Sequence, residues 1–226
     1  MLPLWDDAPR RGSAVVTRLL IVVNLVIFIY EITLSLDGER RLSAFLIEHS
    51  LVPQRLLSGW TDGGQWLTVL TSMFLHGSIF HVVGNCWFLW VFGKAVEGRF
   101  GSVRYLVLYL LAGVGAAAFQ AGLSLYSPLP MLGASGAISG VLGAYLALFP
   151  SVWVFTLVPW VVPVVPLPAF VLLIVWFALQ AFNGVGSLVA DATAQGGVAW
   201  WAHIGGFLTG LIITIWLKHN GSLRRR

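Results

Sequence analysis

Long apolar stretches, each bounded by charged or turn-forming residues, set the pattern of this chain. They run continuously instead of alternating polar and apolar positions, so they predict helices and not the strands of a membrane barrel. Six spans can be marked, at roughly Leu19–Leu36, Ser78–Phe92, Tyr105–Gly122, Ser135–Phe149, Val161–Phe182 and Val198–Leu217. Residues 37–77 form the one long connection, where Trp60, Trp66, Met73 and Phe74 are scattered through polar sequence. That mixture predicts interfacial helix and loop instead of a span. No internal repeat is visible. The expected fold class is an all-α polytopic membrane protein with six transmembrane helices. Its expected parts are a short cytoplasmic segment (1–17), a membrane domain (18–217) and a basic cytoplasmic tail (218–226).

Composition agrees with a lipid environment. The hydrophobic fraction is 58%, charged residues make up 10%, and the mean hydropathy is +0.87. A soluble domain of 226 residues could not bury that much apolar side chain. In lipid the backbone must satisfy its own hydrogen bonds, which helices do within one segment. The pI near 9.6 is not a nucleic-acid signature, because the basic residues flank apolar spans and form no arm or groove. Cys86, the single cysteine, excludes an internal disulfide and reads as a small packing residue. The first apolar run follows Arg10, Arg11 and Arg18 as a signal peptide would. It is long for one and no small-residue cleavage site follows it, so an uncleaved first span is expected.

Charge then sets direction. With the N-terminus inside, Arg10, Arg11, Arg18, Lys94, Arg99, Arg104, Lys218 and Arg224 to Arg226 are all cytoplasmic, ten of the thirteen basic residues. Arg40, Arg41 and Arg55 remain outside, diluted by Asp37, Glu39, Glu48 and Asp62. The positive-inside rule therefore predicts both termini in the cytoplasm. Spans two, four and six then enter from the outer face, which puts His81 and Asn85, Ser135, and His203 at one depth. Span four is short: fifteen residues cover about 22 Å at 1.5 Å each, against a hydrocarbon core of about 30 Å. Pro150 stops its inner end, so its outer end must start below the surface, at the floor of a protein-walled cavity that admits water.

Gly133-Ala134-Ser135-Gly136 is the first candidate for chemistry. The glycines permit a sharp turn and close backbone approach, and a serine at a helix start has free N–H groups beside it. A serine in that position is equally an ordinary N-cap. His203 is the second, since an ionisable residue in a span commonly faces an interior cavity; a structural bond to a neighbouring helix is the other reading. Gly136, Gly140 and Ala144 repeat every four residues, as do Gly206 and Gly210, with His203 one turn before Gly206. If these faces meet, the hydroxyl and imidazole become neighbours, as general-base catalysis requires, although such faces also simply glue helices together. His81 and Asn85 share a helix face and offer N–H donors for an oxyanion, or a plain interhelical hydrogen-bond pair. No carboxylate is placed to make a triad, so a Ser135–His203 dyad is expected. His76 reads as structural, and His49 and His219 as exposed. A metal site is not expected, because there is no HExxH and no intramembrane carboxylate ligand. No cofactor is expected either.

Taken together, these stretches resemble the rhomboid intramembrane proteases. The matching segments are Met73 to Asn85 (MFLHGSIFHVVGN), Gly133 to Gly136 (GASG), Ala202 to Gly206 (AHIGG) and Ala95 to Gly101 (AVEGRFG). Their order covers about residues 18 to 217. The resemblance implies a bacterial-type six-helix core in the cytoplasmic membrane. It implies Ser135 as nucleophile, His203 as base, and His81, Asn85 and the Ser135 N–H as oxyanion donors, with Gly133, Ala134 and Gly136 as backbone beside the substrate. It also implies cleavage of transmembrane segments of other proteins near the outer face, with substrate entering past span five and the loop 183–197. Two positions depart from the family pattern: Leu67 follows Trp66 where many relatives carry arginine, and Ser139 stands where many carry a tyrosine stacked on the histidine. The alternatives are a non-proteolytic relative that binds membrane proteins for quality control, and a small transporter, against which the absent repeat argues.

Overall fold

The computed structural model describes residues 1–10, 12–158, 162–189 and 198–223. Outside the described residues lie Arg11, the expected start of span five at Val161, Asp191 with residues 190–197 of the loop before the last span, and Arg224 to Arg226 of the tail. Five helices among the described residues are long and apolar enough to cross a membrane: Val15–Leu36, Ile79–Phe100, Ser102–Leu123, Ala169–Ser187 and Trp200–His219. Ser135–Leu148 is the shorter sixth, as its sequence requires. The protein is an integral membrane protein with a polytopic helical fold.

The chain starts with strand β1 (Leu2–Asp6) and then helix α1 (Val15–Leu36). The connection up to the second span folds as α2 (Glu39–His49), α3 (Pro53–Ser58), α4 (Gly63–Thr71) and a 3-10 turn (Ser72–Phe74). Trp60 and Trp66 in this connection are exposed, as amphipathic rings at an interface would be. The second span is one continuous rod of α5 (Ile79–Phe88), a π-helical turn (Leu89–Gly93) and α6 (Lys94–Phe100). It runs two turns past the expected end at Phe92. The reason is Glu97, which is buried and acts as the N-terminal cap of α1. Its carboxylate accepts from the N–H of Val16 (3.0 Å) and of Thr17 (2.8 Å), from Thr17 Oγ1 (2.8 Å) and from Ser102 Oγ (2.7 Å). An anion at a helix N-terminus supplies partners for N–H groups that the helix cannot pair itself.

Helices α7 (Ser102–Leu123), α8 (Ser135–Leu148) and α10 (Trp200–His219) form the tightest part of the bundle. A methyl added at Gly140 would meet Ala112 and the Gly206 carbonyl; one at Gly206 would meet the Gly136 carbonyl, and one at Gly210 that of Gly140. The contacts climb together along α8 and α10, so the two helices are parallel, while α7 runs against both. The small-residue faces therefore do meet. Tyr105, Tyr109, Tyr145 and Phe92 fill the core around them, fully buried.

Span five is displaced from expectation. Helix α9 occupies Ala169–Val189, and the apolar sequence before it forms strands β2 (Trp153–Val158) and β3 (Val162–Pro168). With β1 they make a three-stranded antiparallel sheet in the order β1-β2-β3. Pro163, Pro166 and Pro168 forbid a helix interior, and they stand on an edge strand, where missing N–H donors are tolerated. The sheet adjoins the ends of α8 and α9 away from Ser135. Tyr145 donates to Asp6 (2.7 Å) and the Trp87 indole to the Pro3 carbonyl (2.6 Å), which ties β1 to the bundle.

Candidate active site

Ser135 is the first residue of α8, and Ala134 precedes it in helical conformation with no side-chain cap. The serine hydroxyl is thus not used as a helix cap. It lies 2.9 Å from Nε2 of His203 on α10. The turn that delivers it is held by Gly133, which has φ +124° and donates its N–H to the Ser72 carbonyl at 2.8 Å. A Cβ on Gly133 would lie 2.7 Å from the His81 ring, so only glycine fits between that imidazole and the serine loop. Gly136 turns away from this site, its missing side chain facing Ala116 and Ala202 in the helix interface. Ala134 is fully buried.

A cavity of about 450 Å³ opens above the pair. Ser135, His203, His81 and Asn85 all line it, with Phe88 and Trp176 among its apolar walls. Asn85 is 7% exposed, and its Nδ2 has no hydrogen-bond partner among the described residues. Ser78 caps α5 by accepting the His81 N–H at 3.2 Å, which fixes where His81 and Asn85 leave the helix. The N–H groups of the first turn of α8 have no partner within the helix. Free donors and a hydroxyl–imidazole pair thus share one cavity, the layout that acyl transfer needs.

Three residues not expected from sequence complete the surroundings. Gln180, buried on α9, places Oε1 2.7 Å from Nδ1 of His203. Trp176, one turn earlier on α9, and Trp200 flank the same imidazole at centroid distances of 6.1 and 6.3 Å. Ser139, at the position of the missing tyrosine, gives its hydroxyl to the Ser135 carbonyl (2.7 Å). The only sequence signal for Gln180 was its being the one amide in the apolar stretch Ala169–Phe182.

His76 lies behind His81, with ring centroids 5.1 Å apart. Its backbone N–H donates to the buried Glu31 carboxylate of α1 at 3.1 Å. Burial, reinforced by the neighbouring His81, pushes the pKa of His76 down to about 4. Among the described residues no three His, Cys, Asp or Glu side chains converge as a metal site would require.

The sequence profile of the Rhomboid domain matches residues 63–220, a stretch that contains Ser135, His203, His81 and Asn85 of the cavity. The chain belongs to the rhomboid family. Among curated rhomboids it is 38% identical over 141 residues to Rhomboid protease GluP of Bacillus subtilis, covering 61% of this chain and 25% of that protein. It is 28% identical over 220 residues to Rhomboid protease AarA of Providencia stuartii, covering 90% of this chain and 73% of the relative. RHOMBOID-like protein 6, mitochondrial, of Arabidopsis thaliana is 30% identical over 155 residues, or 67% of this chain and 44% of its own length. This rhomboid therefore spans less than half the length of two of these three relatives.

Proposed function

We propose that this rhomboid is an intramembrane serine endopeptidase that cleaves transmembrane segments of other membrane proteins near the outer face of a bacterial cytoplasmic membrane, with both of its termini cytoplasmic. The membrane domain would be residues 18–217. One observation carries the reading: a hydroxyl and an imidazole from two different membrane helices lie at hydrogen-bond distance, 2.9 Å, at the wall of a cavity. The relatives named as rhomboid proteases support it.

In the first step His203 Nε2 takes the Ser135 proton while Oγ attacks a peptide carbonyl carbon. The carbonyl oxygen becomes an oxyanion, held by Asn85 Nδ2, His81 and the Ser135 N–H. Collapse of this intermediate breaks the C–N bond, and the leaving amine takes the proton from the imidazolium. A water from the cavity then gives a proton to His203 and attacks the acyl carbon. Departure of Ser135 Oγ, reprotonated by His203, frees the new carboxylic acid, which gives up its proton to water. A substrate helix must unwind locally to present its bond, so helix-weakening residues near its outer end favour cleavage.

A purified single-span reporter incubated with the protein in detergent tests the reading. Cleavage is expected from the unsubstituted protein and none from Ser135→Ala; equal cleavage by both would refute it.

A further inference from the structure

A general base on a membrane helix faces an orientation problem. Imidazole has two nitrogens, and only a ring that carries its proton on Nδ1 can accept the serine proton at Nε2. Among the described residues no carboxylate is hydrogen-bonded to His203, and Ser139 leaves no aromatic ring at the family's stacking position. On the far side of the ring stands Gln180, 7% exposed, with Oε1 2.7 Å from Nδ1. With Ser135 donating to Nε2, Nδ1 carries the ring hydrogen and needs an acceptor, so the amide oxygen and not its nitrogen faces the ring. Trp176 lies four residues before Gln180 on the same face of α9 and walls the ring from the side.

We propose that Gln180 is a positioning residue for His203, one that fixes the ring tautomer and its orientation by accepting the Nδ1 hydrogen. The three side chains form a line across three helices: Gln180 on α9, His203 on α10 and Ser135 on α8. A neutral acceptor suits an apolar site. It still strengthens its bond when the ring becomes an imidazolium, since a charged donor binds a carbonyl more tightly than a neutral one. It also avoids burying a permanent carboxylate in the membrane. The inference rests on the proposed role of His203 as base.

Kinetics of the reporter and of fluorophosphonate labelling test it. Gln180→Leu removes the acceptor at similar volume; kcat should fall about 10²-fold, the lower end of what a positioned acid–base group contributes, with KM unchanged. Labelling of Ser135 should slow in parallel. Gln180→Glu keeps an acceptor oxygen, neutral or charged, and should restore kcat to within about 10-fold of the original. Unchanged kcat in Gln180→Leu, a loss confined to KM, or an equal loss in Gln180→Glu would overturn the proposal. A readout without substitution at Gln180 stands beside these, in case the variants fail to fold. The ¹⁵N spectrum of labelled histidine, with His203 assigned by its loss in His203→Ala, should show the Nδ1-protonated form at rest. An Nε2-protonated ring would overturn the assignment. Failure of the unsubstituted protein to cleave or label would instead strike the proposed function, since the tautomer is read without activity.

Discussion

At the scale of single residues, Asn85 holds a buried amide whose Nδ2 is unpartnered among the described residues. Leaving such a donor unmade costs about 1–3 kcal/mol, an expense a fold rarely keeps without use. The proposed function gives it one, as a donor to charge that develops only during reaction. Asn85→Ala should therefore lower kcat by about 10²–10³-fold with little change in KM, measured on the single-span reporter, while the thermal midpoint stays level or rises. A residue that served only packing would lose stability instead. His76 makes a different prediction. The fold holds its pKa at about 4, against the ordinary 6.5, chiefly by burial. The unfolded chain takes up a proton where the folded one does not, so the associated stability is complete above about pH 6.5 and is lost as pH falls towards about 4. The thermal midpoint of His76→Gln in detergent should fall less across that window than that of the unsubstituted protein. Parallel decline in both proteins would assign the acid sensitivity elsewhere.

At the scale of elements, the site is a consequence of two helices touching backbone to backbone. Ser135 and His203 meet because α8 and α10 carry glycine where they cross, and Gly206 abuts the Gly136 carbonyl itself. Gly206→Leu should push the helices apart, with an overpacking cost of about 1–3 kcal/mol and loss of reporter cleavage by at least about 10²-fold. Gly122→Ala, where nothing lies within 4 Å, is the matched control and should change neither property. If Gly206→Leu cleaved normally, the crossing would not be what sets the dyad. The glycine spacing that brings these faces together was legible in sequence, because small residues four apart have one geometric meaning on a helix. The partner of His203 on α9 was not. A single glutamine in an apolar run has no spacing to read, and its bond depends on how α9 is rotated.

At the scale of the whole molecule, the six helices, the long interfacial connection and the meeting of Ser135, His203, His81 and Asn85 in one cavity could be read from the chain. Each followed from lipid acting as the solvent and from polar residues falling at matching places in spans two, four and six. The sheet could not be read in the same way. Trp153–Pro168 is as apolar as a span, and hydrophobicity alone assigned part of it to span five. The prolines at 163, 166 and 168 carried the contrary signal, and β1 has strand character only beside its partner β2, which lies some 150 residues away. Such long-range pairing leaves little local trace. What the whole molecule achieves is to hold a hydroxyl, an imidazole and amide donors on separate helices around one cavity, which the proposed function uses as nucleophile, base and oxyanion donors. Fluorophosphonate labelling followed by peptide mass spectrometry tests that claim most directly. The expected result is one adduct, on Ser135, that disappears in His203→Ala. A folded protein that forms no adduct, that reacts at another residue, or that labels equally fast without His203 would contradict it.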